Sequence, residues 1–330
     1  MKRACINKDG NWNNNDYMRI SPVNRDKLPD YIKSNFHKIR FLDYKHNVSW
    51  GIIIIILLMI ACTENIDLPL DSTYARLVVD GSISTDTMRH KVILSKSGDA
   101  LHKNPTEYIS NAVVTISDGE NEFKLTENPA KKGTYETDPT VYGIPYRTYT
   151  LHISNVDVNG DGIMETYSAS SFLKNENPID SIQIKYLEYS SDEKGWMINM
   201  YARDIGGGKN IYLMKAYKND TLLTDSTFEY VNIGDNTGFV GGYYDGFPIY
   251  YLSGSKPDEN LDAGDIVTIE MDCITEEYYQ FLIGFISEYY PKMPLFSGPS
   301  ANISTNVVPK DKAVGFFAAY SATKKSRIYK

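Results

Sequence analysis

The residue with the clearest chemistry is Cys62, because of what precedes it. The apolar run Ile52–Ile53–Ile54–Ile55–Ile56–Leu57–Leu58–Met59–Ile60–Ala61 leads directly into Cys62. An aliphatic side chain three residues before a cysteine and a small one immediately before it form the pattern of a bacterial lipobox. The small Ala61 lets a signal peptidase reach the bond. The Cys62 thiol accepts a diacylglyceryl group before cleavage and becomes the new N-terminus. As a helix the run would cover about 15 Å, against about 30 Å of bilayer hydrocarbon. With Arg40, Lys45 and His46 ahead of it, it has the character of a signal-peptide apolar region. Lipid attachment at Cys62 is the expectation; an uncleaved signal anchor and a buried apolar segment are the alternatives.

Two further groups of residues could bind something. Asp157, Asn159 and Asp161, followed by Gly162, resemble the first half of a calcium loop, in which a tight turn gathers hard oxygen ligands. Ser168 stands where such a loop would end in an acid, so a plain Asn/Asp/Gly turn is the competing reading. The aromatics Phe239, Tyr243, Tyr244, Phe247, Tyr250 and Tyr251 lie among glycines and Pro248. On a glycine-rich loop they would offer a platform for sugar rings or a partner protein; on alternating strand positions some would enter a core. Tyr243, Tyr244, Phe247 and Tyr250 are the candidate binding surface.

Other motifs point nowhere. Gly206–Gly207–Gly208–Lys209–Asn210 lacks the spacing and the hydroxyl of a phosphate loop. Ser191 to Lys194 and Ser321 to Lys324 match a serine–x–x–lysine pattern without the companion motifs of serine acyl enzymes. After Cys62 the histidines are His90, His102 and His152, in no zinc motif, and the remaining cysteine, Cys273, has no partner. No catalytic residue and no cofactor is therefore expected, calcium apart.

The elements that must position these residues read as β-strands. Residues 1–61 are expected to be a leader holding the lipoprotein signal peptide, with a long polar beginning that reads as a start assigned too far upstream; 62–73 is a polar tether. Without the leader the chain has 24 Lys or Arg against 37 Asp or Glu, a net charge of −13. Such an acidic body excludes a nucleic-acid footprint and leaves membrane attachment to acyl chains. Seven short strands between 74 and 171, with a hairpin signal at Asp118–Gly119, suggest an immunoglobulin-like β-sandwich. A linker over 172–180 precedes a second β-rich domain, 181–330. Within it Thr275, Glu276 and Glu277 announce a helix over about 275–290 that Pro291 stops. Val314 to Tyr320 should return as a terminal strand. The fold class is mainly β with one late helix.

These segments resemble a family common in Bacteroidota, domain-of-unknown-function family 4249. The likeness is carried by the Cys62–Thr63–Glu64–Asn65–Ile66–Asp67–Leu68 junction, Leu77–Val78–Val79–Asp80–Gly81, Ala112 to Asp118, Gly133–Thr134–Tyr135 and Tyr146 to Leu151. It continues through Tyr167–Ser168–Ala169, Pro178 to Ile182, the Tyr278-containing helix, Ala301 to Asn306 and Val314 to Tyr320, covering about 62–326. The resemblance implies an outer-envelope lipoprotein, often encoded beside a TonB-dependent outer-membrane transporter. The expected role is thus a non-enzymatic, lipid-anchored outer-membrane accessory or binding component of such a transporter. The alternative is a surface adhesin or structural β module.

Overall fold

Branched residues at alternate positions make Leu77–Ser84 a strand (β1), with Leu77, Val79 and Ile83 buried on one face and Asp80 exposed on the other. The computed structural model describes residues 75–98, 105–175, 177–188, 194–223, 232–289 and 303–330. Cys62, the leader and the tether lie outside the described residues. After β1 come β2 (Lys91–Lys96), β3 (Val113–Ser117), β4 (Glu122–Glu127), β5 (Thr134–Glu136), β6 (Thr148–Val156) and β7 (Glu165–Phe172). The seven expected strands are present, in the order β1-β2-β5-β4-β3-β6-β7. The Asp118–Gly119 hairpin joins β3 to β4: Gly119 takes the left-handed φ of 89° that the turn needs. Inward side chains from both ends of this path, among them Val92, Leu94, Ile116, Leu151, Ile153 and Tyr167, share one core.

The second half contains β8 (Ile179–Glu188), β9 (Lys194–Arg203), β10 (Ile211–Lys218), β11 (Thr221–Leu222), β12 (Asn232–Asp235), β13 (Tyr243–Ser253) and β14 (Ile266–Ile274). The helix α1 (Glu276–Tyr289) follows, then β15 (Val307–Val308) and β16 (Ala313–Ile328). Strands β13, β9 and β8 form a separate three-stranded sheet. Its apolar face supplies Ile198, Met200 and Leu252 to a second core, which β10 and β14 complete with Met214, Ile269, Met271 and Cys273. Helix α1 begins where expected. The Thr275 hydroxyl accepts the Tyr278 amide at 3.2 Å, and Glu276 and Glu277 occupy the first turn, where the helix dipole favours negative charge.

The long strand β16 departs from the expected division. Its first half pairs in parallel with β1, from Leu77↔Ala313 to Ser84↔Tyr320. Its second half pairs antiparallel with β14, from Cys273↔Ser321 to Ile266↔Ile328. Ala313, Phe317 and Ala319, with Val307 of β15, therefore belong to the core of the N-terminal half. The region 74–171 is not a self-contained sandwich: the edge beside β1 is filled from the C-terminus. Apart from β8, β9 and β13, the described strands of both halves join into one large sheet, and Leu70–Lys330 is one compact unit. The fold is mainly β with one helix.

Candidate functional site

The seam that β16 creates carries the most site-like geometry of the described residues. Period-2 alternation on β14 puts Ile269, Met271 and Cys273 into the second core, so Glu270, Asp272 and Ile274 face the other way. Register places Lys215 of β10 opposite Glu270, and Lys324 of β16 opposite Glu270 from the other side. Helix α1 lies over this face. Tyr278 and Phe281 pack on Phe316 of β16 with ring centroids 5.1 and 5.2 Å apart. Between helix and sheet is a cavity of about 810 Å³. Its walls include Val78 of β1, Val314 and Phe316 of β16, and Tyr278, Phe281, Leu282 and Phe285 of α1. Arg76 and Lys310, both exposed, also line it, and Asp272, Lys215 and Tyr320 form its polar end.

Gly315 makes the close approach of β1 and β16 possible. Its φ is +93°, and an added Cβ would overlap the carbonyl oxygen of Val79, the residue it faces in the pairing.

The polar end is a coupled charge cluster. Lys215 Nζ donates to Glu270 Oε1 at 2.7 Å and lies 2.5 Å from Asp272 Oδ2. The second contact is an off-axis ion pair: neither Asp272 oxygen accepts a hydrogen bond of ordinary geometry, although the residue has no solvent exposure. Glu270 also accepts the Tyr217 hydroxyl at 2.9 Å and pairs with Lys324 at 3.2 Å, while Lys324 reaches Asp86 at 2.6 Å. Burial pushes the Asp272 carboxyl up to about 7 against the pull of Lys215. Burial would raise Glu270 as well, but Lys215, Lys324 and the Tyr217 hydroxyl hold it down at about 2. Burial alone would lower Lys215; the charges of Asp272 and Glu270 outweigh that and raise it. Its ammonium stands 5.2 Å from the centre of the Tyr320 ring.

The aromatic candidates divide. The segment expected as a glycine-rich loop is largely strand β13, an edge strand paired with β9. Register shifts at Asp245/Phe247 and Pro248/Tyr250 leave out Gly246, whose φ is +71°, and Ile249, while Pro248 stays paired with Asn199, as an edge strand allows. Tyr244 and Tyr250 are core residues, 5% and 8% exposed, whereas Tyr243 and Phe247 are 42% and 41% exposed. Phe239, Tyr244 and Phe247 form an aromatic trio with centroids 4.8 to 5.8 Å apart. They line a smaller cavity of about 190 Å³. Tyr243 instead lies under Arg203, 5.6 Å from its ring centre. The four candidates thus do not make one surface.

Behind them, Asp204 organises the loops. Its carboxylate accepts the amides of Gly206 (2.9 Å) and Gly241 (2.7 Å), the Tyr212 hydroxyl (2.9 Å) and the Asn236 side-chain amide. Burial would raise this carboxyl, and those donors hold it below its usual value. The Gly206–Gly208 turn is therefore part of a buried polar node.

Asp157, Asn159 and Asp161 are together in the β6–β7 turn, where their oxygens serve the turn itself. Asp157 accepts the amides of Gly160 (2.7 Å) and Gly162 (2.9 Å), and Asp161 accepts that of Ile163 (2.7 Å). Asn159 donates to Asp161 at 2.8 Å. Among the described residues no three His, Cys, Asp or Glu side chains gather as a metal-holding group. Ser321 of the serine–x–x–lysine pattern is buried and donates to the Asn175 carbonyl at 2.8 Å, while Lys324 is held by acids.

The Asp272 cluster escaped the sequence reading. Its only trace is the polar residue at every second position of Thr268–Glu270–Asp272, which looks like an ordinary solvent face. Among the described residues no helix is long and apolar enough to cross a membrane. No curated protein matches the chain. The family model described as Domain of unknown function (DUF4249) matches residues 63–326, agreeing with the segments that carried the resemblance, and the chain belongs to that family.

Proposed function

We propose that this protein is a non-enzymatic lipoprotein of the outer membrane, held by acyl chains on Cys62, and that it is a binding component working beside a TonB-dependent transporter. The observation that carries the binding role is the cavity of about 810 Å³ between α1 and the sheet, apolar-walled with a buried polar end. Its size is that of a small-molecule site, roughly 300–1,000 Å³. The charges at its polar end are engaged with one another, which suits recognition better than turnover. The lipobox ending at Cys62 and membership of the family support the tether and the envelope location.

Crosslinking in whole cells, followed by mass spectrometry of the lipidated protein, tests the role. Peptides of an outer-membrane transporter should be recovered with the natural chain and lost with Cys62→Ala. Repeated recovery of the lipidated protein without any transporter would refute the partnership. The exposed Tyr243 and Phe247 on the edge strand β13 favour a second reading, an adhesive β module. Under that reading, glycan or matrix binding would disappear in the Tyr243→Ala, Phe247→Ala double variant while uptake stayed intact.

A further inference from the structure

Asp272 is a fully buried carboxylate on the wall of the α1 cavity, and neither of its oxygens accepts a well-formed hydrogen bond. An ionised carboxylate offers about four acceptor positions, and natural interiors fill nearly all of them. The nearest cation, Lys215, is shared: its ammonium donates to Glu270 at 2.7 Å and forms an off-axis ion pair with Asp272 at 2.5 Å. The next cation, Lys324, is divided between Glu270 and Asp86. Two ammonium groups thus face three carboxylates, and the excess negative charge falls on the carboxylate with the fewest donors. Most of the remaining lining is apolar or aromatic, with Asp80, Ser82, Ser304 and Thr305 as polar exceptions besides Arg76 and Lys310.

We propose that this cavity receives an organic ammonium with an apolar body, donating its N–H groups to Asp272 and laying its body against Phe281, Phe285 and Val314. Such a ligand supplies Asp272 with a second charged donor, beyond the shared ammonium of Lys215. Tyr278 and Tyr320 stand at the same end, and the Tyr320 ring already accepts a cation from Lys215 at 5.2 Å. A neutral alcohol of the same shape would make a single uncharged hydrogen bond there. A carboxylate would meet Asp272 and Asp80 with like charge, although Arg76 and Lys310 among the lining residues would draw it to other parts of the cavity.

The inference rests on the binding role proposed above but on neither the tether nor the transporter, so the two can fail separately. The test is calorimetric titration of the full chain in lipid nanodiscs with phenylpropylamine, phenylpropanol and phenylpropanoate at neutral pH. The amine should bind about tenfold or more tightly than the alcohol, and the carboxylate more weakly than either. Asp272→Asn should bring amine and alcohol to within about twofold of each other. Should that variant fail to fold, Phe285→Trp, at a position 36% exposed, fills the cavity and should weaken the amine and the alcohol together. Equal affinity for amine and alcohol, tighter binding of the carboxylate, or an amine preference that survives Asp272→Asn would overturn the ammonium assignment and leave a general binding role standing. Absence of binding by all three probes would overturn both the assignment and the cavity's binding role, whatever crosslinking recovers.

Discussion

Replacing Asp272 by Asn should alter the way stability changes with pH. The Asp272 carboxyl is pushed up from 3.8 to about 7, chiefly by burial, with Lys215 pulling the other way. The unfolded chain releases this proton near its ordinary value, while the folded chain keeps it to about 7. Between those limits the folded state binds more protons, so the free energy of unfolding falls as pH rises, and levels off above the folded value. At about 1.4 kcal/mol per pH unit, the whole window amounts to roughly 4 kcal/mol, of which about 3 kcal/mol falls between pH 5 and pH 8. Glu270 has the opposite sign: held down at about 2, it contributes stability above its ordinary value that is lost as acid protonates it. Glu270 is coupled to Asp272, but above about pH 5 it is largely ionised in both states and adds little slope, so the difference between the chains from pH 5 to pH 8 reports Asp272. Urea unfolding followed by the fluorescence of Trp196, buried in the second core, measures it. Relative to the natural chain, Asp272→Asn should gain about 3 kcal/mol on going from pH 5 to pH 8. Parallel profiles would mean that Asp272 is ionised throughout and that Lys215 fully compensates its burial.

Three further sets of substitutions probe the frame of the fold. Gly315→Ala combines a disfavoured φ with overlap on the Val79 carbonyl, so urea unfolding should show a loss of about 3 kcal/mol or more. Truncating Tyr244 or Tyr250 to Ala should cost about 3–5 kcal/mol in the same assay, against less than about 1 kcal/mol for the exposed Tyr243; equal costs would contradict the division of β13 into core and surface positions. Asp204→Ala leaves the Gly206 and Gly241 amides and the Tyr212 hydroxyl without their acceptor. It should cost about 3 kcal/mol, with faster hydrogen exchange at the Gly241 amide; unchanged exchange there would remove Asp204 from its organising role.

Local chemistry was legible in the sequence wherever one element and its immediate neighbour decide the outcome. The β3–β4 hairpin needs only Gly119 and two alternating runs, and the start of α1 needs only Thr275 and the acids after it. Pairing at a distance was not legible. Val314 to Tyr320 is an apolar run that reads as a strand, but nothing in it says that it lies parallel to Leu77–Ser84, at the other end of the chain. Any apolar strand with a free edge would accept such a partner, so the division at 172–180 was read as a domain boundary. Tyr244 and Tyr250 were ambiguous for a related reason. The shifts around Gly246 and Pro248 break the simple alternation of two that would have sorted buried from exposed tyrosines.

The same long-range pairing explains why the Asp272 site was hidden. Glu270 and Asp272 sit on the polar positions of a strand whose other positions fill a core, and such positions normally face water. They are buried because β16 carries β1 alongside β14 and because α1 then covers the joined face. Tyr278, Phe281, Leu282 and Phe285 line the cavity from α1, but nothing in the helix's own sequence says which surface that face meets. A stripe packed on a purely apolar sheet would leave no reason for a cavity; packed on a face that also holds Lys215, Asp272 and Tyr320, it cannot close without burying ionised groups against hydrocarbon. The open volume and the under-donated carboxylate therefore have one physical origin, the meeting of an apolar helix with a charged strand face. A ligand with an apolar body and a charged donor is the kind of molecule that satisfies both surfaces at once.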